Sequence, residues 1–147
     1  MAKTMNQQQA AATAENIIRD TAAALHPQPR LDFDPSVGND ATQCLAEQLP
    51  DASKMVTVVR TAWLRGIPDG QQVNIANQVK AYWQRQGYVI GTTANFAQGK
   101  PEITGYTPHK DPFAVFTFSL TTASNGWIAI GATSPCVWPN GTPPPNS

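Results

Sequence analysis

Cys44 and Cys136 are the only cysteines in the 147-residue chain, and nearly every segment patterned as a strand lies between them. Their spacing excludes a Cys-x-x-Cys redox pair and any zinc site built from cysteine pairs. Two arrangements remain: a bond between the two sulfurs, or two inert buried thiols. The cytosol keeps thiols reduced, whereas exported proteins oxidise them, so the compartment decides. Composition favours the oxidising side. Charged residues make up 14% of the chain, against a usual ~25%. Gln, Asn, Thr, Ser and Pro take their place, and the sequence closes on "PNGTPPPNS". A bond from 44 to 136 would contribute on the order of 4 kcal/mol by restricting the unfolded chain. It would also leave neither sulfur as a thiolate for nucleophilic chemistry.

The length suits one domain with a sizeable core. Ten Lys and Arg balance ten Asp and Glu, so no long-range field gathers nucleic acid or anionic membrane. No apolar run reaches the ~18 residues that a membrane span needs. No basic-then-apolar leader stands at the front, so an exported protein of this sequence is expected in mature or trimmed form. The opening "MAKTMNQQQAAAT", residues 1–13, has no large apolar residue besides its methionines and is expected to be a loose tether. Residues 14–138 are expected to form a single α+β domain, and 139–147 a flexible proline-rich tail.

Ala14, Ile17, Ile18, Ala22 and Leu25 recur at helical spacing, which predicts a helix from about Gln8 to Leu25. Prolines then break the chain up to Pro50, apart from a helical hint in "ATQCLAEQL" that would set Cys44 and Leu45 against the core. "MVTVVRTAWL" reads as a strand with Val56, Val58, Ala62 and Leu64 on one face, interrupted by Arg60. "IPDGQQVNIANQVKAYWQRQGY" is the clearest helix, with Asp69 as N-cap, Gln72 at the capping-box position and Gly87 at the C-cap. Val73, Ala76, Val79 and Trp83 form its apolar stripe, widened by Ile75 and Tyr82. "YVIGTTANF" and the weaker "EITGYT" follow as strands. The last two strands flank "ASNG", where an Asn-Gly pair suits a tight hairpin. The fold expected is two helices packed on one face of an antiparallel four-stranded sheet.

Such a sheet has a second face. Trp63, Tyr88, Tyr106 and Trp127 are candidates either to cover it or to line a contact surface there, with His109 in the proline-bracketed loop "PHKDP" beside them. Other chemistry fares less well. Asp32, Asp34, Asn39 and Asp40 supply oxygen ligands, but on an EF-hand template Val37 replaces the glycine and Gln43 the bidentate glutamate, so an Asp-rich turn is favoured over a metal site. His109 with Asp111 has the parts of a general base, yet no Gly-x-Ser-x-Gly elbow accompanies it. Arg60, Trp63, Arg65, Lys80, Trp83 and Arg85 interleave cations with aromatics, which with zero net charge suggests arginine stems stacked on tryptophan rather than bound RNA. No catalytic residue, metal or cofactor is expected. Asn140-Gly141-Thr142 matches a glycosylation sequon, relevant only to a eukaryotic secretory route.

The runs "LHPQPRLDFDPSVGNDATQCLAEQ" and "IANQVKAYWQRQGY", together with the closing strand that carries Cys136, resemble the LppA-like family of mycobacterial and other actinobacterial lipoproteins. The resemblance spans about Ala14 to Trp138. It implies a signal peptide and a lipid-bearing cysteine upstream, and a domain displayed outside the plasma membrane; it transfers no catalytic residue. The function expected is a non-enzymatic extracytoplasmic domain of the cell envelope that binds or scaffolds a protein or a small-molecule ligand. A second copy of the chain is one candidate partner, and the membrane is reached only through a lipid anchor that this chain lacks. The competing expectations are a small secreted hydrolase using His109 and Asp111, and an inhibitor or immunity-type binding protein.

Overall fold

The structure, a computed structural model, describes residues 3–35, 39–44 and 54–144. The first helix, α1, runs over Gln7–Ala23, followed by two short strands, β1 (Arg30–Asp32) and β2 (Ala41–Gln43), and the long β3 (Val56–Arg65). Then come α2 (Gln72–Arg85), β4 (Val89–Ala94), β5 (Glu102–Tyr106), a single 3-10 turn at Pro112–Ala114, β6 (Thr117–Thr122) and β7 (Ile128–Thr133). The class is α+β with an antiparallel sheet, as the sequence predicts. The sheet has seven strands, not four, in the order β1-β3-β7-β6-β5-β4, with β2 also paired to β3.

The extra strands arise where local pattern is weakest. β1 and β2 are three residues each and stand along the same edge of β3, at Trp63–Arg65 and Val56–Val58. Between them the Asn39 side chain replaces a strand: its Oδ1 accepts the Thr61 N–H at 3.0 Å and its Nδ2 donates to the Thr61 carbonyl at 3.0 Å. Asn39, near the end of the Asp-rich stretch, is therefore an edge fitting for β3. The helical hint at 41–49 is corrected: Ala41–Gln43 is β2, and residues 45–53, Leu45 included, lie outside the described residues.

Alternation along each strand sends one set of side chains to the helices. Val58, Ala62 and Leu64 of β3, Ile128, Ile130 and Ala132 of β7, Phe118 and Leu120 of β6, and Ile103 of β5 are buried there. They meet Ala14, Ile17 and Ile18 of α1 and Ile75, Ala76, Val79 and Trp83 of α2 in one cluster. Trp83 packs on Phe118 at 4.6 Å between ring centres. Its indole N–H donates to the Thr21 hydroxyl at 3.0 Å, and that hydroxyl donates to the Ile17 carbonyl, so the polar atoms of this fully buried pair are satisfied. Arg60, the interruption on the buried face, reaches Glu15 of α1 at 3.2 Å.

The helix ends differ from expectation in one case. α1 begins with a capping box in which Asn6 and Gln9 exchange backbone and side-chain bonds at 2.8 and 2.9 Å. α2 is capped by Gln71 with no side-chain bond, not by Asp69, which stands exposed two residues earlier. Gly87, at φ +79°, ends α2 in the left-handed region as predicted. The hairpin turn is also corrected in detail: of the Asn125-Gly126 pair only Gly126 has positive φ, and the Gly126 N–H donates to the Ala123 carbonyl at 2.9 Å. This is a type I turn closed by a glycine bulge, with Asn125 Oδ1 accepting the Trp127 N–H.

Hydrogen bonds reach both segments expected to be loose. The Thr4 N–H donates to Gly141 O and the Gln7 N–H to Pro139 O, while Ala10 is fully buried within the first turns of α1. The edges of the domain therefore extend past 14 and 138. Beside this junction Cys44 and Cys136 are bonded, with Cα atoms 5.8 Å apart and a sequence separation of 92. The bond lies against Met55, Trp138 and Phe113 in a second, smaller apolar cluster.

Candidate functional site

Both helices lie on one face of the sheet, so the other face carries what strand alternation sends outward. The register sets those residues in rows across the strands. One row runs Val59, Thr133, Thr117, Tyr106; the next runs Thr61, Gly131, Ser119, Thr104. Gly91 of β4 extends the second row, since a Cβ built on it would stand 2.8 Å from Thr104 Oγ1. These small side chains floor an open concavity of about 500 Å³. No hydrogen bond ties the hydroxyls of Thr61, Thr117, Ser119 or Thr133 to another described residue, whereas Thr92 and Thr104 share one at 2.8 Å. Tyr106, 41% exposed, stands at the β5 side of this face.

A third row starts with Trp63 paired to Ala129, and here the surface changes character. Trp63 and Trp127 meet edge to face, with ring centres 5.6 Å apart. The Arg65 guanidinium lies 4.5 Å from the Trp127 ring centre and 5.7 Å from that of Trp63. Its Nε and Nη2 donate to Asp32 Oδ2 at 3.1 and 3.0 Å, so β1 holds the arginine over the indoles. From the other side, Gln72 at the start of α2 donates to the Gly126 carbonyl at 3.1 Å and fixes the hairpin. A cleft of about 120 Å³ opens between these groups, bordered also by Asp69. Trp127 keeps 51% of its surface in solvent despite these restraints.

The structure brings together only part of the surface drawn from sequence. Trp63 and Trp127 form one corner and Tyr106 the far side of the same face. Tyr88 does not join them: it lies beside Phe118 at 4.9 Å on the helix side, and burial, followed by the Asp20 charge, raises its phenol above the ordinary value of 10.0. His109 is exposed in its loop, but Asp111 does not orient its imidazole. The Asp111 carboxylate accepts the Phe113 N–H at 2.9 Å and caps the 3-10 turn. Of the interleaved cations, Arg65 stacks on both tryptophans and Arg85 on Tyr82, while Trp83 is in the core. Among the described residues no group of three or more His, Cys, Asp or Glu could hold a metal ion.

Arg65, Asp32 and Gln72 are the members of the corner that sequence reading missed as a group. They sit on different elements and meet only because β1 pairs with the end of β3 and α2 starts beside the hairpin. The hydroxyl rows had a visible trace, since Thr117, Ser119 and Thr121 alternate with Phe118 and Leu120. Set against protein-family models, curated proteins and solved structures, the chain matches none.

Proposed function

We propose that the chain is a non-enzymatic, extracytoplasmic binding domain of the LppA-like lipoprotein kind, whose contact surface is the sheet face running from the Trp63–Trp127 corner to Tyr106. One observation carries this reading: the face opposite the helices is left open, floored by the hydroxyls of Thr61, Thr117, Ser119 and Thr133, which have no bond to another described residue, and edged by Trp127, which is held against Trp63 yet half in water. Exposed, restrained aromatics beside hydrogen-bonding groups form surfaces that recognise ligands. The Cys44–Cys136 bond is consistent with an oxidising compartment, and no helix among the described residues is long and apolar enough to cross a membrane. The partner is a protein or small molecule of the cell envelope. The hydrolase reading loses support because its Asp111 is engaged as a cap.

The test is a turnover screen of the oxidised protein on generic esters and peptides beside His109→Ala. Both proteins are expected to give only the buffer rate. Turnover by the native protein that disappears in His109→Ala would overturn the reading. Fractionation of the source organism is expected to place the protein in the envelope.

A further inference from the structure

We infer that the Trp63–Trp127 corner is a saccharide-binding site, and that its ligand is a neutral oligosaccharide seated on the Trp127 indole. The inference rests on the binding-domain reading and names the ligand class. An indole with 51% of its surface in water leaves apolar area unburied, which a loose side chain would reduce by folding back. Here it cannot do so. Trp63 abuts the ring, Arg65 is fixed over it by Asp32, and Gln72 pins the turn from which Trp127 departs. A rigid platform loses little entropy when a ligand settles on it.

The surroundings narrow what the ligand can be. A second cation is disfavoured because the Arg65 guanidinium, 4.5 Å from the Trp127 ring centre, repels it, whereas the exposed half of Trp127 stays open to a neutral ligand. An aliphatic or lipid ligand needs an apolar cleft. Leu64 and Ile128 border this one, but both are buried in the core, and the half-buried Ile67 is the one aliphatic side chain left to a cleft that Asp69, Gln72 and Arg65 share with the two tryptophans. A peptide that binds by adding a strand needs an unpaired strand edge, whereas β3 and β7 are paired to each other at Trp63 and Ala129. An anion is disfavoured by Asp69, whose exposed carboxylate has no partner among the described residues, while Asp32 neutralises Arg65. The groups that line the cleft fit a molecule with a C–H face to lie on an indole, hydroxyls around its rim for a carboxylate and an amide, and no net charge. A pyranose ring meets all three conditions. The volume of about 120 Å³ admits part of one ring, so the rest of the chain extends over the open face from Thr61.

The experiment uses the oxidised full chain and neutral tetrasaccharides of glucose, mannose, galactose and N-acetylglucosamine, followed by the indole N–H resonances of the tryptophans in a nitrogen-labelled sample. At least one sugar is expected to shift the Trp127 signal saturably. The Trp83 signal, bonded to Thr21 in the core, should stay still. Trp127→Ala should weaken that sugar at least about tenfold, and Asp69→Asn, which removes no bond to another described residue, should weaken it with the fold intact. A panel in which no sugar moves Trp127 overturns the saccharide site but leaves the turnover test to decide the binding-domain reading. Binding that survives Trp127→Ala and is abolished by Ser119→Arg overturns this corner while keeping the open face as a contact surface.

Discussion

At the scale of single residues, the core depends on a polar contact as well as on apolar area. Thr21 and Trp83 are fully buried, and the Thr21 hydroxyl is the partner of the indole N–H. Thr21→Val keeps the shape and leaves the indole N–H without a partner. The expected loss is about 1–3 kcal/mol in urea unfolding, with Thr21→Ser retaining most of the stability. The sequence conceals this pair, because threonine in a helix reads as a weak former rather than as an acceptor for a tryptophan 62 positions away. Trp83 itself was legible as core from its place on the α2 stripe. Tyr88 was not, because it precedes β4 and so follows no strand alternation that could assign it a face.

At the scale of elements, long periodic segments were the readable ones. α1, α2 and the β6–β7 hairpin follow from spacing, while β1 and β2 carry three residues each, too few for a period to register. The α2 start was misread because Asp69 has the preferred cap chemistry, yet Gly70 at φ +82° carries the chain onward to Gln71 before the helix begins. The hairpin shows the converse: the Asn-Gly signal located the turn, and the count of residues between the strands decided its type. Gly126, at φ +87°, is needed there, and a Cβ would also stand 3.0 Å from Gln72 Nε2. Gly126→Ala is therefore expected to cost roughly 1–2 kcal/mol in thermal or urea unfolding. It should also loosen the link between hairpin and α2, visible as faster amide exchange at Trp127. Gly99→Ala, in a turn where a Cβ meets nothing within 4 Å, bears the φ cost alone and serves as the control.

At the scale of the whole molecule, the disulfide ties β2 to the segment after β7 across 92 residues of sequence. Cys44→Ala with Cys136→Ala should lower stability by about 4 kcal/mol, chiefly by freeing the unfolded chain. The measurement is urea unfolding of the double variant against the oxidised protein, and reduced native protein should track the variant. The class of fold and the existence of the bond were readable because they depend on element type and cysteine count. The strand order was not, since β7 lies between β3 and β6, and no local pattern encodes which distant strand fills an edge. The junction of Thr4 with Gly141 adds a topological consequence. With Thr4 and Gly141 side by side, the described backbone between them traces almost a closed circuit. A rethreaded gene that joins those two points and opens instead within the turn at 97–99 would retrace the same circuit.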